Sequence, residues 1–133
     1  MFNIFSAWYK QAMFDWTIEH LPQENMLLVK TEGKMDVPSA NAMVKAVAEA
    51  ADEHQCFVHL IDHREMTFAF GLMDYYDRPH INEKLGVLRS FKTAMVFRQL
   101  TKDTRFMETV FQNRGYNLRH FTDIEEAKAW LKA

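Results

Sequence analysis

The sequence predicts an α/β fold in which one mixed, mostly parallel sheet of about five strands is packed against helices. Strand-like and helix-like segments follow one another in the order helix, β-β-α and then β-α-β-α-β-α. Such alternation is typical of parallel sheets, because each crossover needs a long connection, usually a helix. The first two strands have no helix between them, which predicts an antiparallel hairpin at one edge. With 133 residues and no Pro/Gly/Ser-rich linker, residues 1–133 are expected to form a single domain.

The first fourteen residues predict an amphipathic helical extension of this domain. Phe2, Phe5 and Tyr9 recur at helical spacing, and Trp8 adds another large ring. These four aromatic residues need a cover, which could be the chain's own sheet, a second copy of the chain or a membrane surface. Membrane-surface helices usually carry several Lys and Arg residues, and only Lys10 is present. An interface at the four aromatic residues, in a homodimer or on the domain itself, is therefore favoured. Peripheral membrane contact stays open.

A hairpin, a long helix and a buried strand are predicted for the first half of the chain. The two hairpin strands cover residues 15–21 and 26–32, with a turn between them. Residues 36–53 have an apolar residue every three or four positions, and Pro38 lies in the first turn, where its missing N–H costs little. Residues 55–62 have apolar side chains on both faces, as in a strand buried on both sides.

Further helices and strands alternate in the second half. In chain order they are a short helix that ends near Pro79, a helical turn or two over 85–91, a strand over 93–98, a helix over 103–114, a strand over 116–121 and a closing helix. Gly115 is expected to end the fourth of these segments in a left-handed conformation. The closing helix is expected to begin with a capping box formed by Thr122 and Glu125.

The composition excludes several classes of protein. Sixteen Lys and Arg residues against 18 Asp and Glu residues give a net charge of −2, without the basic surface of a nucleic-acid binder. The single cysteine cannot form an intramolecular disulfide, which excludes a disulfide-stapled scaffold. No apolar run is long enough for a transmembrane segment. The start of the chain lacks the basic region of a secretory signal peptide, so a cytoplasmic protein is expected.

No motif in the sequence indicates catalysis, a metal or a cofactor. The chain lacks Cys-x-x-Cys, His-Glu-x-x-His, Gly-x-Ser-x-Gly and a Gly-rich phosphate loop. Cys56 lies in an apolar strand, where a thiol behaves as a small hydrophobic group. Asp62 and His63 are adjacent, so on an extended chain they point to opposite sides and are poor acid–base partners unless the chain turns sharply there. The chain is therefore expected to be non-enzymatic.

Several spaced motifs run from about residue 15 to the C-terminus. They are Trp16, Gly33-x-Met35-Asp36, Leu60-Ile-Asp62-His-Arg64, Arg105-Phe-Met-Glu108, Asn113-Arg-Gly-Tyr116 and Phe121-x-Asp123-x-x-x-Ala127-x-x-Trp130-Leu131. In these motifs and in its order of elements, the chain resembles the STAS/SEC14-type, SpoIIAA-like family of bacterial domains. The resemblance implies a SpoIIAA-like sandwich and a non-catalytic role. It does not choose between the anti-sigma antagonists and the lipid-binding proteins that share the fold.

One departure from the resemblance concerns phosphorylation. The anti-sigma antagonists carry a phosphorylatable serine in the loop after the central strand. The corresponding residues 62–71 contain no serine here, and Thr67 carries the only hydroxyl group among their side chains. A partner role switched by a kinase is therefore not favoured. A protein-interaction module without the usual phosphoacceptor remains the alternative function.

The leading hypothesis is a site for a small apolar or amphiphilic molecule where the parallel strands end. Ligands bind beyond the carboxyl ends of such strands. The predicted ligand-binding residues are Asp62, Arg64, Phe68, Phe70, Met73 and Tyr76. The arginine would meet an anionic head group, and the last four residues would line an apolar pocket. In a simpler interpretation, the aspartate and arginine only brace the loop while the phenylalanines fill the core.

Overall fold

A single sheet of five strands forms the centre of the computed structural model, which describes residues 13–133. The strands are β1 (Asp15–Leu21), β2 (Met26–Met35), β3 (Val58–Phe68), β4 (Lys92–Val96) and β5 (Asn117–Phe121), and they lie side by side in chain order. β1 is antiparallel to β2, and the other three neighbouring pairs are parallel. The predicted mixed sheet with an antiparallel edge is thereby confirmed. The predicted interface residues Phe2, Phe5, Trp8 and Tyr9 lie outside the described residues.

Four helices of the described part of the chain cover the two faces of the sheet unequally. They are α1 (Val37–His54), α2 (Leu72–Lys84), α3 (Lys102–Asn113) and α4 (Ile124–Lys132). On one face, Val29, Ile61 and Met95 pack in one core with residues of α1, α2 and α3. On the other face, Leu60 and Ala94 pack with residues of α4. The three crossover helices therefore share one side of the sheet, and within residues 13–133 only the closing helix covers the opposite side.

α2 differs from its prediction because it continues through Pro79 to Lys84. A proline inside a helix removes one hydrogen bond and costs about 3 kcal/mol. Two features offset this cost. Pro79 is fully buried, and the guanidinium of Arg78 donates to Asn82 Oδ1 on the next turn at 2.8 Å and to Asn41 Oδ1 on α1 at 2.6 Å. This clamp joins α1 to α2 across the proline.

The helical turn predicted over residues 85–91 is also wrong, because this segment is irregular. Gly86 adopts a positive φ of 106°, and its N–H donates to the carbonyl oxygen of Glu83 at 3.2 Å. A glycine in this conformation ends a helix, so α2 stops there and no new helix begins. Gly115, which was predicted to end α3, has a φ of 87°, as expected.

The cap of α4 gives the first testable prediction. Asp123, rather than the predicted Thr122, accepts hydrogen bonds from the N–H groups of Glu125 at 2.8 Å and Glu126 at 3.0 Å. We expect Asp123→Ala to lower the free energy of unfolding by about 1 kcal/mol, because it leaves these N–H groups without a side-chain acceptor. Thr122→Ala is the matched control and should change it by less than about 0.5 kcal/mol. Urea titration of both variants checks this, and equal losses would contradict the assignment of the cap.

Candidate functional site

An open groove of about 500 Å³ lies where β3 and β4 end and α3 begins. We call it the rim groove; it is lined by residues 63–68, Tyr75, Phe97, Arg98, Gln99, Thr101, Asp103 and Thr104. The carboxyl ends of parallel strands are the usual place for a binding site in such a sheet. A groove is therefore present at the ends of the parallel strands, where sequence analysis expects the site.

A β-bulge shapes the inner end of this groove. Lys30 pairs with Asp62 and Glu32 pairs with Glu65, so one residue of β2 lies opposite two residues of β3. The residue on β2 is Thr31, whose hydroxyl donates to the carbonyl oxygen of Asp62 at 3.1 Å and lies 2.7 Å from Nδ1 of His63. Bulges of this kind re-aim side chains and are frequent beside functional sites.

The bulge also explains why sequence analysis predicted a loop after Asp62, where the structure has a strand. β3 continues to Phe68, so residues 63–68 belong to the sheet. Before the bulge, Ile61 belongs to the core shared with α1 to α3; after it, Met66 does so. The extra residue reverses the alternation of the two faces, and the period of two that marks a strand in a sequence is lost at this point.

Asp62 and Arg64 form an ion pair beside the bulge. Oδ1 of Asp62 accepts from Nε of Arg64 at 2.9 Å and from its backbone N–H at 3.1 Å, and Oδ2 lies 2.9 Å from the second guanidinium nitrogen. Burial raises the pKa of Asp62. The hydrogen bonds from Arg64 and the positive charges of Arg64 and Lys30 have a larger effect, and they hold the pKa below its ordinary value. The arginine thus has a protein partner, as the simpler interpretation expects.

Aromatic rings form the apolar wall of the site. Phe68 lies 5.0 Å from Phe70 and 5.3 Å from Tyr75, between ring centroids, and Phe97 lies 6.1 Å from Phe68. These separations are typical of packed aromatic pairs. The cavity beside Phe68 and Phe70 measures only about 30 Å³.

The other two predicted ligand residues lie on the surface instead. Met73 is 62% exposed and Tyr76 is 45% exposed, next to Leu72 at 63%. We call these three residues, on the first two turns of α2, the α2 patch. The guanidinium of Arg114 lies 5.1 Å from the centre of the Tyr76 ring, in cation–π contact. The six predicted residues are thus divided among an ion pair, an aromatic wall and an exposed patch, and their role in binding a ligand stays a prediction.

Sequence analysis did not single out three buried polar residues near the groove. Tyr75 is buried in its wall, Thr104 is buried at the start of α3, and His120 lies on β5, with its ring centroid 4.8 Å from that of Phe97. The only signal for Tyr75 was its place in a helix rich in aromatic residues. For Thr104 and His120 no local motif existed, because their positions depend on which strands lie side by side.

Burial holds the histidines of this region in their neutral form. Burial lowers the pKa of His63 to about 3; the nearby His120 contributes to this shift and Asp62 opposes it. Burial lowers the pKa of His120 to about 4, and no described residue hydrogen-bonds either of its ring nitrogens. Uncharged imidazoles can donate and accept hydrogen bonds but cannot form ion pairs at neutral pH.

The structure does not support an acid–base pair of Asp62 and His63. The carboxylate of Asp62 pairs with Arg64, whereas the ring of His63 packs on Phe97 at 5.4 Å between centroids, within the three-helix side of the sheet. Among residues 13–133, no group of three His, Cys, Asp or Glu side chains is placed to hold a metal ion. None of the described helices combines the length and the hydropathy that a membrane crossing requires.

Comparison with known proteins gives matches in structure only. No protein-family model matches the sequence, and no curated protein matches it. An anti-sigma factor antagonist from Mycobacterium paratuberculosis is similar at a TM-score of 0.63 and 13% identity, over 92% of this chain and 97% of that one. An uncharacterized protein with a SpoIIAA-like fold from Shewanella loihica is similar at a TM-score of 0.59 and 21% identity, over 89% and 93% of the two chains.

A third solved structure, the anti-sigma factor antagonist SpoIIAA in its unphosphorylated form, has a TM-score of 0.53 and 15% identity, over 90% of this chain and 99% of that one. These three likenesses cover nearly the whole length of each chain, and they agree with the five-stranded mixed sheet and the four helices of residues 13–133. Identities this low give evidence of the fold and not of the activity. The chain has the SpoIIAA-like fold that its sequence motifs predict.

Proposed function

We propose that this chain is a non-catalytic regulatory module that binds a partner protein through the α2 patch. The observation that carries the proposal is the exposure of Leu72, Met73 and Tyr76 side by side at the start of α2. Single exposed apolar residues are ordinary on soluble proteins, but adjacent large ones mark interaction surfaces. The patch begins four residues after the end of β3, on the same helix as Tyr75, which lines the rim groove.

The composition of the patch suits a protein partner. Tyrosine, methionine and arginine are enriched at the centres of protein interfaces. Arg114 already stacks on Tyr76, so the ring is held in place before a partner arrives and loses less side-chain entropy on binding. Asp77 is exposed on the same helix and supplies a charged border.

One further observation favours protein binding over lipid binding. Two of the similar structures are named as anti-sigma factor antagonists, which are regulatory proteins. The chain lacks a serine at residues 62–71, so the proposed module acts without a phosphoserine at that position.

The test compares two leucine substitutions of the same kind. Leu72→Asp places a charge in the patch and an acidic residue in the first turn of α2, where it suits the helix dipole. Leu88→Asp is the matched control, because Leu88 is 52% exposed but lies outside the patch. Tagged wild type and both variants are recovered from cells of the source organism, and co-purified proteins are quantified by mass spectrometry.

We expect wild type and Leu88→Asp to co-purify with the same stoichiometric partner. The amount of this partner recovered with Leu72→Asp should be at least ten-fold lower. Circular dichroism of each purified variant verifies the fold. Equal recovery with Leu72→Asp, or no stoichiometric partner for wild type, would contradict the proposal. Sedimentation of the wild type shows whether the partner is a second copy of this chain, which is the homodimer that the aromatic N-terminal residues predict.

A further inference from the structure

The first described residue, Met13, lies at the same end of the sheet as the rim groove. A Cβ atom on Gly33 would lie 1.9 Å from the backbone oxygen of Met13, so the two backbones pass close together. Gly33 pairs with Met66 of β3, and Met66 lines the rim groove. Met13 is 45% exposed. Residues 1–12, which lie outside the described residues, are therefore attached at the surface beside this groove.

The α2 patch lies within reach of this point of attachment. Met35, near Met13 on β2, pairs with Phe68 of β3. The ring of Phe68 lies 5.3 Å from that of Tyr75, measured between centroids, and Tyr75 precedes Tyr76 of the patch on α2. Twelve residues span up to about 40 Å when extended, which exceeds this path of one strand pair and one ring contact. The segment is therefore long enough to reach the patch.

The composition of the segment complements that of the patch. Four of its residues are aromatic, namely Phe2, Phe5, Trp8 and Tyr9. Each such side chain buries about 150–250 Å², which is enough to cover the exposed leucine, methionine and tyrosine of the patch. The only charged side chain of the segment is Lys10, whereas the charged side chains of residues 72–77 are Asp74 and Asp77. Opposite charges at the border of a contact favour its formation.

A tether favours the chain's own segment over a separate molecule. A segment joined to the patch by a short stretch of chain has an effective concentration in the millimolar range. A second copy of the chain at micromolar concentration would have to bind much more tightly to compete. Both the aromatic segment and the patch need a cover, because large apolar surfaces are rarely left exposed on soluble proteins.

We propose that residues 1–12 fold back onto the α2 patch of the same chain, and that a partner protein must displace them in order to bind. The regulatory step rests on the proposed function, because segment and partner compete for the same three side chains. If the segment covers the patch about nine-tenths of the time, the apparent affinity for the partner falls about ten-fold. The segment thereby restricts binding to partners that engage the patch more strongly than it does.

The test observes the methyl group of Met73 in the purified full chain, labelled with ¹³C-methyl methionine. Met73 is 62% exposed to solvent unless the segment covers it, and Met73→Leu assigns its signal. We expect nuclear Overhauser effects from this methyl group to aromatic protons of residues 1–12. The double variant Phe5→Ser/Trp8→Ser should abolish them and shift the methyl signal, because the ring currents of the segment are lost. Met26, which is fully buried beside α4, should keep its signal and thereby verify the fold.

A matched double variant in the same segment is the control. Asn3→Ser/Gln11→Ser introduces the same two serines without removing an aromatic ring, and it should leave the Met73 signal unchanged. A wild type without these Overhauser effects, or a Met73 signal that ignores Phe5→Ser/Trp8→Ser, would overturn the proposal. Loss of the effects on ten-fold dilution would also overturn it, because the segment would then lie on a second copy. The wild-type spectrum decides the matter even if a variant fails to fold.

The regulatory step has its own measurement. From limiting amounts of cell lysate, Phe5→Ser/Trp8→Ser should recover about three- to ten-fold more of the partner than wild type does, and equal recovery would contradict displacement. If Leu72→Asp loses the partner while the Met73 signal shows no contact with the segment, the fold-back is wrong and partner binding stands. If the contact is present and no partner depends on Leu72, partner binding is wrong and the segment is only a structural cover.

Discussion

Replacing Gly33 with alanine is expected to lower the free energy of unfolding by about 2–4 kcal/mol. Gly33 has a φ of +93°, which residues with a side chain rarely adopt. A Cβ atom at this position would lie 1.9 Å from the backbone oxygen of Met13, so the chain that enters β1 would have to move. Phe14, which is buried in the core beside this contact, would move with it.

Gly71→Ala is the matched control for this substitution. Gly71 lies in an ordinary extended conformation before α2, and the nearest atom to an added Cβ is Oδ2 of Asp74 at 3.7 Å. Its cost should stay below about 1 kcal/mol, the usual range for an N-cap position. Chemical denaturation of the two variants measures both values. Equal losses of stability in the two variants would contradict the close contact between the backbone of Met13 and Gly33 on β2.

The second large effect is loss of stability in mild acid. The pKa values of His63 and His120 are lowered to about 3 and about 4 in the folded chain, against an ordinary value of 6.5. A lowered pKa means that the unfolded chain binds more protons, so stability is present above pH 6.5 and falls as the pH drops towards the folded values. Between pH 7 and pH 5, each histidine should remove about 2 kcal/mol.

The two carboxylates whose pKa is lowered by folding do not account for a loss in this window. Asp36 and Asp62 have a folded pKa below the ordinary 3.8, so their contribution is lost only under more acidic conditions. His120→Phe should reduce the loss between pH 7 and pH 5 by about 2 kcal/mol, because it removes one titrating group. It should not destabilise the chain at pH 7 through lost hydrogen bonds, since no described residue bonds the imidazole nitrogens. An unchanged pH dependence in this variant would show that His120 is not the titrating group.

Much of the fold could be predicted from the sequence because its signals are local. The helix over residues 36–53 has both a period of three to four and a proline in its first turn, and the structure places α1 at Val37–His54. Conversely, β3 could not be followed beyond Asp62, since the bulge opposite Thr31 reverses the side-chain alternation. A bulge depends on how two strands pair, and a single strand's pattern does not contain that information.

Pro79 shows a second limit of local patterns. A proline predicts the end of a helix, yet α2 continues through Pro79. The burial of Pro79 and the hydrogen bonds from Arg78 to Asn41 and Asn82 stabilise the helix beyond it. The partner on α1 is 37 residues away, so this compensation is tertiary. Local propensity fails where a long-range contact outweighs it.

The location of the candidate site could be predicted from the sequence, but the side chains that line it could be predicted only in part. The rule for parallel strands located the rim, because it needs only the order of the elements. Which side chains face inward could not be deduced from the sequence, since Tyr75 and Tyr76 are adjacent tyrosines and yet differ in burial. Tyr75 is buried in the groove wall, whereas Tyr76 is 45% exposed beneath Arg114. That choice depends on the rotation of α2 about its axis, which packing against the sheet decides.

Site-specific photocrosslinking tests the binding role of the α2 patch most directly. A benzophenone amino acid is placed at Met73, which is 62% exposed, and in a second chain at Glu125, which is exposed on α4 on the opposite side of the sheet. Irradiation in cells of the source organism should yield one dominant crosslinked protein from position 73 and none of it from position 125. The same crosslinked proteins from both positions, or none from position 73, would contradict partner binding through α2.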